Sequence, residues 1–325
     1  MPDRAEEGTC AGAVDGGSVR DTLSLPYSSK KGRPMSQLDI RIGTLAGMNR
    51  GAAYIRQILP YGFESFSLTC WQKIGDLDLH RTAAEVLDVL GDKAVVSCIS
   101  LFGNPLQDEQ TAADFARLID AAHLFKTDLV TGFTGAIEGK PMPESMPRFK
   151  QVWEPLAKRA ADKGCRIAWE NCDMGGWWHD VRWNIAHSPT AWEMMFNAFP
   201  SDNCGLQWEP CHQMCSLIDP IAQLRQWARK VFHVHGKDAT VDWHAIRTWG
   251  IRGGKPYVWH RTPGFGDSNW TDIISILRMN GFRGSIDIEG WHDPVYRDEL
   301  EMTGQVHALR YLKNCRGGPF VPNPA

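Results

Sequence analysis

Between Leu38 and Leu312, short runs of apolar and β-branched residues alternate with longer stretches in which apolar residues recur every three or four positions. The short runs predict strands, and the longer stretches predict amphipathic helices. The predicted strands are Ile40–Leu45, Phe63–Thr69, Ala94–Leu101, Leu129–Gly132, Cys165–Glu170, Cys204–Trp208, Val231–His235 and Ser285–Glu289. The predicted helices are Gly51–Leu59, Thr82–Leu90, Glu109–Leu124, Met146–Lys163, Thr190–Phe199, Ile221–Arg229, Trp270–Met279 and Pro294–Leu312.

The repeated strand–helix unit predicts a parallel sheet, because parallel neighbours need a crossover that a helix usually provides. The strands are short and mostly apolar, which is typical of strands buried on both faces. Eight such units favour a closed barrel over an open, doubly wound sheet. No G-x-G-x-x-G follows the first strand, where a dinucleotide-binding fold carries it. We therefore predict an α/β protein made of a single-domain (β/α)8 TIM barrel.

Three segments fall outside the repeated unit. Residues 1–37 are rich in Gly, Ser, Asp and Arg without periodicity, which predicts a disordered N-terminal extension, with Met35 as an alternative start. Residues 38–315 form the predicted barrel domain, and residues 316–325 form a predicted C-terminal tail. The segment Ala239–Arg261 is longer than an ordinary loop, and we expect an insertion after the seventh strand that lies over the mouth of the barrel.

The composition narrows the partners and the compartment. With a formal net charge of −3, the chain gives no electrostatic reason to expect nucleic acid or a membrane surface as a partner. It contains no run of about 18 apolar residues. The nine cysteines are scattered without a CxxC pair, which favours a soluble protein in a reducing cytoplasm. A homo-oligomer, or a small partner subunit that completes the pocket, is left open.

Metal-ligand residues stand at the ends of four consecutive predicted strands. Glu170, Glu209, His235 and Glu289 end or directly follow strands five to eight. A carboxylate at the end of a buried strand is costly unless it is paired or binds a cation. The carboxyl ends of barrel strands meet at one face, where active sites of this fold lie. Three carboxylates and one imidazole predict one divalent metal ion, Mn²⁺ first, with Mg²⁺ or Co²⁺ as alternatives.

Other side chains at the same face are candidates for substrate contact. His212 and Lys237 could donate to sugar oxygens or to developing negative charge. Trp71 and Trp208 are candidate stacking walls for a sugar, since the 14 tryptophans of the chain indicate an aromatic pocket. His292 follows the eighth strand and is a further candidate.

Each assignment also has a structural alternative. A single Glu at a strand end is more often a helix cap or an ion-pair partner, and only the ordered set of four favours a metal. Lys237 could pair with Asp238. By strand alternation His233 faces the same side as His235, but it lies one layer deeper, which favours packing. The tryptophans could equally fill the core.

The ordered set of strand ends resembles the xylose-isomerase-like superfamily of sugar isomerases and epimerases, which includes ketose 3-epimerases, hydroxypyruvate isomerases and inosose dehydratases. The matching positions are Glu170, Glu209 with His212, His233 with His235, and Glu289. A second match is Pro263-Gly264-Phe265-Gly266-Asp267, followed by Trp270 and Gly281-Phe282-Arg283-Gly284. Two positions depart from the pattern: Glu209 replaces the usual Asp, and Thr69-Cys70-Trp71 ends strand two where a Glu is expected.

The resemblance implies a metal-dependent sugar isomerase or epimerase. Such an enzyme removes a proton next to a carbonyl and passes through a metal-stabilised enediolate. Glu170 and Glu289 are the candidates for proton transfer on opposite faces of that plane, and His212 is the third catalytic candidate. The alternative is a lyase that acts on a 3-keto-glycoside or a related keto-sugar by β-elimination or dehydration at the same metal. A metal-cluster endonuclease and a non-enzymatic barrel are less consistent with the residues. The substrate's identity and stereochemistry are left open.

Overall fold

The computed structural model describes residues 39–318, together with Val321 and Pro324. Its strands are β1 Arg41–Gly47, β2 Ser65–Trp71, β3 Val95–Phe102, β4 Leu129–Gly132, β5 Arg166–Glu170, β6 Cys204–Trp208, β7 Val231–Gly236, β8 Asp238–Val241, β9 Val258–Arg261 and β10 Ser285–Ile288. Its α-helices are α1 Gly51–Ile58, α2 Leu79–Leu90, α3 Glu109–Ala121, α4 Met146–Asp162, α5 Pro189–Ala198, α6 Pro210–Cys215, α7 Pro220–Trp227, α8 Trp243–Trp249, α9 Trp270–Met279 and α10 Glu301–Arg316.

Eight of the strands close into a parallel barrel in the order β1-β10-β7-β6-β5-β4-β3-β2. The prediction of a (β/α)8 TIM barrel is confirmed, and β10 is the eighth strand of the barrel. All eight predicted strands overlap their observed counterparts, because the short apolar runs can bury both faces only between the barrel interior and the surrounding helices.

Large aromatic side chains fill the layer between the barrel and the helices. Trp153, Trp169 and Trp192 are fully buried there. Two of their indole N–H groups donate to backbone carbonyls, Trp153 to Thr134 at 2.7 Å and Trp192 to Ala186 at 2.6 Å. Five of the 14 tryptophans are fully buried in the core, and six are exposed.

A layer of polar side chains crosses the barrel interior below its mouth. His233 Nε2 lies 2.8 Å from Asp287 Oδ2, and His233 Nδ1 lies 3.0 Å from Gln207 Nε2. Gln207 also donates to Thr131 Oγ1 at 3.0 Å. Because His233 is buried and both of its ring nitrogens have partners, it is a packing residue of this layer.

The segment after β7 forms a small substructure of its own. β8 and β9 pair as an antiparallel hairpin, with Asp238 opposite Arg261, and α8 lies between them in sequence. His260 of this hairpin lines the cavity at the mouth of the barrel. The expected insertion over the mouth therefore exists. The short helix α6, directly after Glu209, was not predicted.

Two predicted boundaries differ from the structure at the end of the barrel. The last helix begins at Glu301 and not at Pro294, because the Asp293 carboxylate accepts hydrogen bonds from the backbone N–H of Val295 and Tyr296 and fixes a turn there. The helix also includes residue 316, which is the first residue of the expected tail. Arg316 is buried and donates to the Ile40 carbonyl at 2.8 Å, so it belongs to the barrel.

The expectation of disorder for residues 1–37, and half of the residues of the expected tail, lie outside the described residues. Within the part of the chain that is described, no helix is long and apolar enough to cross a membrane. The eight cysteines in the same part are free thiols.

A buried histidine predicts loss of stability in acid. Burial lowers the pKa of His187 to about 4, and its Nε2 atom has no hydrogen-bond partner among the described residues. In the unfolded chain the same group titrates near pH 6.5, so the unfolded state binds more protons between about pH 4 and 6.5. The free energy of unfolding should therefore fall as the pH drops through this window, by about 2 kcal/mol between pH 8 and pH 5 from this residue.

The measurement is urea unfolding of the wild type and of His187→Phe across this pH range. The variant should lose correspondingly less stability in acid. His244→Gln, which alters an exposed histidine, is the control and should follow the wild type. Superimposable profiles for His187→Phe and the wild type would assign the acid sensitivity to other groups.

Candidate metal centre and active site

The four predicted metal ligands meet at the carboxyl ends of adjacent barrel strands. Glu170 is the last residue of β5, Glu209 directly follows β6, His235 lies in β7, and Glu289 directly follows β10. In register, β5 neighbours β6, β6 neighbours β7, and His235 stands opposite Asp287 of β10. One ligand atom from each of the four residues lies within 4.8 Å of the others.

His235 stands among the three carboxylates of this group. Its Nδ1 atom lies 2.7 Å from Glu170 Oε1, 3.1 Å from Glu289 Oε2 and 4.0 Å from Glu209 Oε2. Nevertheless, both ring nitrogens of His235, both oxygens of Glu209 and Glu289 Oε2 lack an aligned hydrogen bond among the described residues. Buried polar atoms are rarely left in that state, and a shared cation would satisfy all of them.

The charges of the group also call for a cation. Burial lowers the pKa of His235, but the Glu170 and Glu289 carboxylates outweigh it and raise the pKa to about 10. The negative charge around the ring therefore favours a positive charge at this point, either a proton or a metal ion. Three carboxylates with one imidazole fit a divalent ion that prefers oxygen ligands. These four residues could hold such an ion.

Two asparagines, which the sequence did not indicate, fix the backbone at this site. The Asn171 side chain donates to the Glu209 carbonyl at 2.9 Å and accepts from the Glu209 N–H at 2.7 Å. The Asn184 side chain donates to the carbonyls of Glu170 and Cys172, at 2.8 and 2.7 Å. Because both amides are buried, they hold the two strand ends in place.

Lys237 is buried beside the four-residue group and pairs with Glu289. Its Nζ atom donates to Glu289 Oε1 at 2.8 Å, and His292 Nε2 lies 3.0 Å from the same oxygen. Burial opposes the charged forms, but Lys237 holds the pKa of Glu289 well below its usual range, and Glu289 raises the pKa of Lys237. Both groups therefore stay charged.

Asp238 does not pair with Lys237, which corrects that alternative. The Asp238 carboxylate accepts from Trp270 Nε1 at 2.9 Å and from the Ser268 N–H at 3.1 Å. Lys237 donates to Glu289 Oε1 instead, so the two neighbouring side chains have different partners.

His212 lies on α6 beside Glu209, and it lines the cavity at the mouth of the barrel. Its Nε2 atom is 2.7 Å from Glu209 Oε1 and 3.3 Å from Lys237 Nζ, and its Nδ1 atom is 4.0 Å from Asp173 Oδ1. Burial and the charge of Lys237 lower the pKa of His212 well below its usual range. The ring therefore stays neutral and can exchange hydrogen bonds with a ligand in the cavity.

A cavity of about 760 Å³ opens beside the four-residue group of Glu170, Glu209, His235 and Glu289. Glu170, His212, His235, Lys237, Glu289 and His292 all line it. Its outer walls are aromatic: Trp71 stacks on Trp183 with ring centroids 5.8 Å apart, and Phe133 lies edge-on to Trp71. Trp71 and Trp291, exposed by 59% and 47%, stand at the rim. The sequence did not indicate Trp183, Phe133 or Asp173.

Trp208 does not reach this cavity, which corrects its assignment as a substrate contact. It is fully buried in the core, and its indole N–H donates to Gln223 Oε1 at 2.8 Å. Gln207 points into the barrel interior, so strand alternation turns Trp208 outward towards the helices and returns Glu209 to the inner side.

Comparison with known proteins identifies the family. The family model of the xylose isomerase-like TIM barrel matches residues 55–315. The chain belongs to this family.

Individual relatives and solved structures agree with this assignment. Inosose dehydratase of Clostridium tetani (strain Massachusetts / E88) is 25% identical over 185 residues, 55% of this chain and 61% of that protein. A xylose isomerase-like TIM barrel protein of Mycobacterium smegmatis in complex with magnesium has a TM-score of 0.65 and 17% identity, over 85% of this chain and 96% of that one. The 3-keto-D-glucoside 4-epimerase YcjR of E. coli, in its apo form, has a TM-score of 0.61 and 14% identity, over 85% of this chain and 100% of that one.

The chain spans between 50% and 61% of the length of the curated relatives it matches. At 14 to 17% identity, the likeness to the solved structures shows the shared fold.

Proposed function

We propose that the protein is a divalent-metal-dependent enzyme that removes a proton next to the carbonyl of a keto-sugar, as sugar isomerases and epimerases do. The observation that supports this most is the convergence of Glu170, Glu209, His235 and Glu289 beside a cavity large enough for a small molecule. Both oxygens of Glu209, both ring nitrogens of His235 and Glu289 Oε2 lack a hydrogen bond among the described residues. A bound ion would supply positive charge that stabilises the negative charge developing on the carbonyl oxygen.

Glu170 is the base in this proposal. Its carboxylate lines the cavity, and among the described residues it has no Lys or Arg partner. Glu289 differs, because Lys237 and His292 both engage its Oε1 atom and its lowered pKa makes it a weaker proton acceptor. In an epimerisation Glu289 would be the second proton-transfer group, and Lys237 or His292, which both engage its Oε1 atom, would supply it with a proton.

Lys237 and His212 stabilise charge on the substrate oxygens. Lys237 is held as an ammonium by Glu289, and neutral His212 lies 3.3 Å from it. Both line the cavity, so both can donate hydrogen bonds to an oxygen that gains negative charge as the proton leaves carbon. Because the two donors are already fixed by protein contacts, little reorganisation is needed during the reaction.

The metal itself gives a direct prediction. A divalent ion at 100 times its dissociation constant should add about 2.7 kcal/mol to the free energy of unfolding. The melting temperature should rise by several degrees over that in EDTA. The measurement is thermal unfolding with Mn²⁺, Mg²⁺, Co²⁺ and Zn²⁺ in turn.

The matched variants are Glu209→Gln, which removes a proposed ligand oxygen, and Glu154→Gln, which changes an exposed glutamate. With Mn²⁺ or Mg²⁺, Glu209→Gln should lose most of the metal-induced rise, whereas Glu154→Gln should keep it. An equal rise in both variants would place the stabilising ion elsewhere.

The reaction is tested by solvent deuterium incorporation. The metal-loaded protein is incubated in D₂O with a panel of keto-sugars and 3-keto-glycosides. Deuterium that enters recovered substrate or its epimer supports the proposal. If no sugar of the panel exchanges with any of the four metals bound, proton abstraction next to a carbonyl is not the reaction of this site.

A lyase reaction is the second candidate, and the aromatic side chains that line the cavity favour it. After the same proton abstraction, the electron pair left on the α-carbon forms a double bond to the β-carbon. The C–O bond at the β-carbon breaks, and the leaving oxygen takes up a proton and departs as an alcohol or water. Trp71, which Trp183 supports by stacking, and Phe133 offer apolar walls for a leaving group larger than water, with Trp291 at the rim. In the deuterium experiment, release of an aglycone or of water would identify the lyase.

A further inference from the structure

A second group of metal-ligand side chains lies beside the first but shares no residue with it. Cys211 and Cys215 lie on α6, and His260 lies on β9 of the hairpin that follows β7. One ligand atom from each residue lies within 4.8 Å of the others. None of the three takes part in the reaction proposed above.

Local structure accounts for this arrangement. Residues four apart on a helix share one face, so the Cys211 and Cys215 thiols point the same way. The pairing of β9 with β8 places His260 opposite Ala239 and turns it towards that face. The Tyr257 hydroxyl donates to the Cys215 carbonyl at 3.2 Å. Because Tyr257 directly precedes β9 and Cys215 ends α6, this bond connects the two elements. The three side chains therefore come from two elements that already contact each other.

We propose that Cys211, Cys215 and His260 form a second metal site, which takes a thiolate-preferring ion such as Zn²⁺ and clamps the hairpin onto α6. The distance between Cys215 Sγ and His260 Nε2 is 3.5 Å. A tetrahedral zinc with Zn–S near 2.3 Å and Zn–N near 2.0–2.1 Å places such a pair of ligands about 3.6 Å apart. The pair thus already has the spacing of two zinc ligands.

The two sites differ in their ligand atoms and should therefore prefer different ions. Two sulfurs and one imidazole suit zinc, whereas three carboxylates and one imidazole suit a harder ion. Three protein ligands leave a fourth position for water or another small ligand, as in zinc sites that are not fully closed by the protein.

The position of the second site connects it to the cavity wall. The His260 ring centroid lies 5.2 Å from that of His212 and 5.8 Å from that of His292. All three rings line the cavity. An ion bound to His260 would therefore fix the orientation of its ring, which lies against His212 and His292, the two candidate substrate contacts.

The test uses Co²⁺ as a spectroscopic probe of the full chain, kept reduced with a phosphine. A Co²⁺–thiolate bond gives a charge-transfer band in the near ultraviolet, and the carboxylate group of the first site gives none. We expect this band in the wild type and its loss in Cys215→Ser. Cys315→Ser, which alters another partly buried cysteine far along the chain, is the control and should keep the band.

Zinc stoichiometry by equilibrium dialysis provides the second readout. Cys215→Ser should bind one Zn²⁺ fewer per chain than the wild type, whether or not the first site is occupied. Glu209→Gln should keep the thiolate band, so a failure of the first site and a failure of the second are distinguishable. The proposal is overturned if the reduced wild type shows no thiolate band, or if the band persists in Cys215→Ser.

A disulfide between Cys211 and Cys215 is the competing outcome. It would appear as a loss of two free thiols on mild oxidation, together with no thiolate band in the reduced protein. Circular dichroism of each variant establishes that it is folded, and Cys211→Ser serves as the second variant if Cys215→Ser does not fold.

Discussion

Replacing Glu170 with Gln is expected to slow exchange of the substrate α-proton with solvent by about 10²- to 10⁴-fold, the usual effect of losing a general base. The amide keeps the size of the side chain and one oxygen that can bind a metal, but it cannot accept a proton at neutral pH. Metal content should therefore fall less than activity does. The measurement is deuterium exchange by NMR, alongside elemental analysis of the same samples.

Two further variants separate the roles around the metal. His212→Asn should slow turnover and weaken substrate binding while metal content stays intact, since His212 lies beside the four-residue group and not in it. Glu289→Gln should also reduce exchange, but here the loss should coincide with weaker metal binding. If Glu170→Gln exchanges protons at the wild-type rate with metal bound, Glu170 is only a ligand, and Glu289 or His212 becomes the candidate base.

The second large effect is expected from the buried ion pair of Lys237 and Glu289. Lys237→Met removes the ammonium and leaves Glu170, Glu209 and Glu289 facing one another without a counter-charge from lysine. Breaking one partner of a buried pair typically costs about 3–5 kcal/mol. We expect a loss of that size in the free energy of unfolding when EDTA is present. The loss should be smaller with a divalent ion, which supplies the missing positive charge.

A double-mutant cycle in urea measures the coupling. The Lys237→Met/Glu289→Gln double variant should lose less free energy of unfolding than the two single variants lose when their losses are added. An exposed pair of similar geometry, Lys158 and Asp162 at 2.9 Å, gives the control, and Lys158→Met should change stability by less than about 1 kcal/mol. Equal losses at the buried and the exposed lysine would show that the Lys237–Glu289 pair does not stabilise the fold.

Strand alternation explains both a success and an error of the sequence analysis. It placed His233 one layer below His235, and the structure shows His233 inside the polar layer with Asp287 and Gln207. Applied to β6, the same rule turns Trp208 away from the site, because Gln207 and Glu209 point inward. The alternation of side chains along β6 could have been read from the sequence. The prediction instead followed the position of Trp208 at a strand end and took it for a wall of the pocket.

No pattern in the sequence indicated the residues that support the site. Asn171 and Asn184 hold the backbone at Glu209 and Glu170, and Trp183 stacks on Trp71 from a loop in which its φ angle is +51°. These contacts join residues that are 38, 14 and 112 positions apart in the sequence. Periodicity relates only neighbours a few residues apart, so contacts of this kind are decided by how the loops fold over the barrel.

The sequence by itself determined the barrel and the location of the four candidate ligands. Eight apolar runs separated by amphipathic helices allow few other ways to bury both faces of every strand, and parallel strands end at one face. Only the tertiary structure decided the partners of each charge. Lys237 could pair with Asp238 next to it in the chain or with Glu289 at the end of the neighbouring strand β10, and the structure selects Glu289 because the two side chains converge at the same buried point. The same convergence brings Cys211, Cys215 and His260 together, since β9 lies against α6 only when the hairpin after β7 has formed.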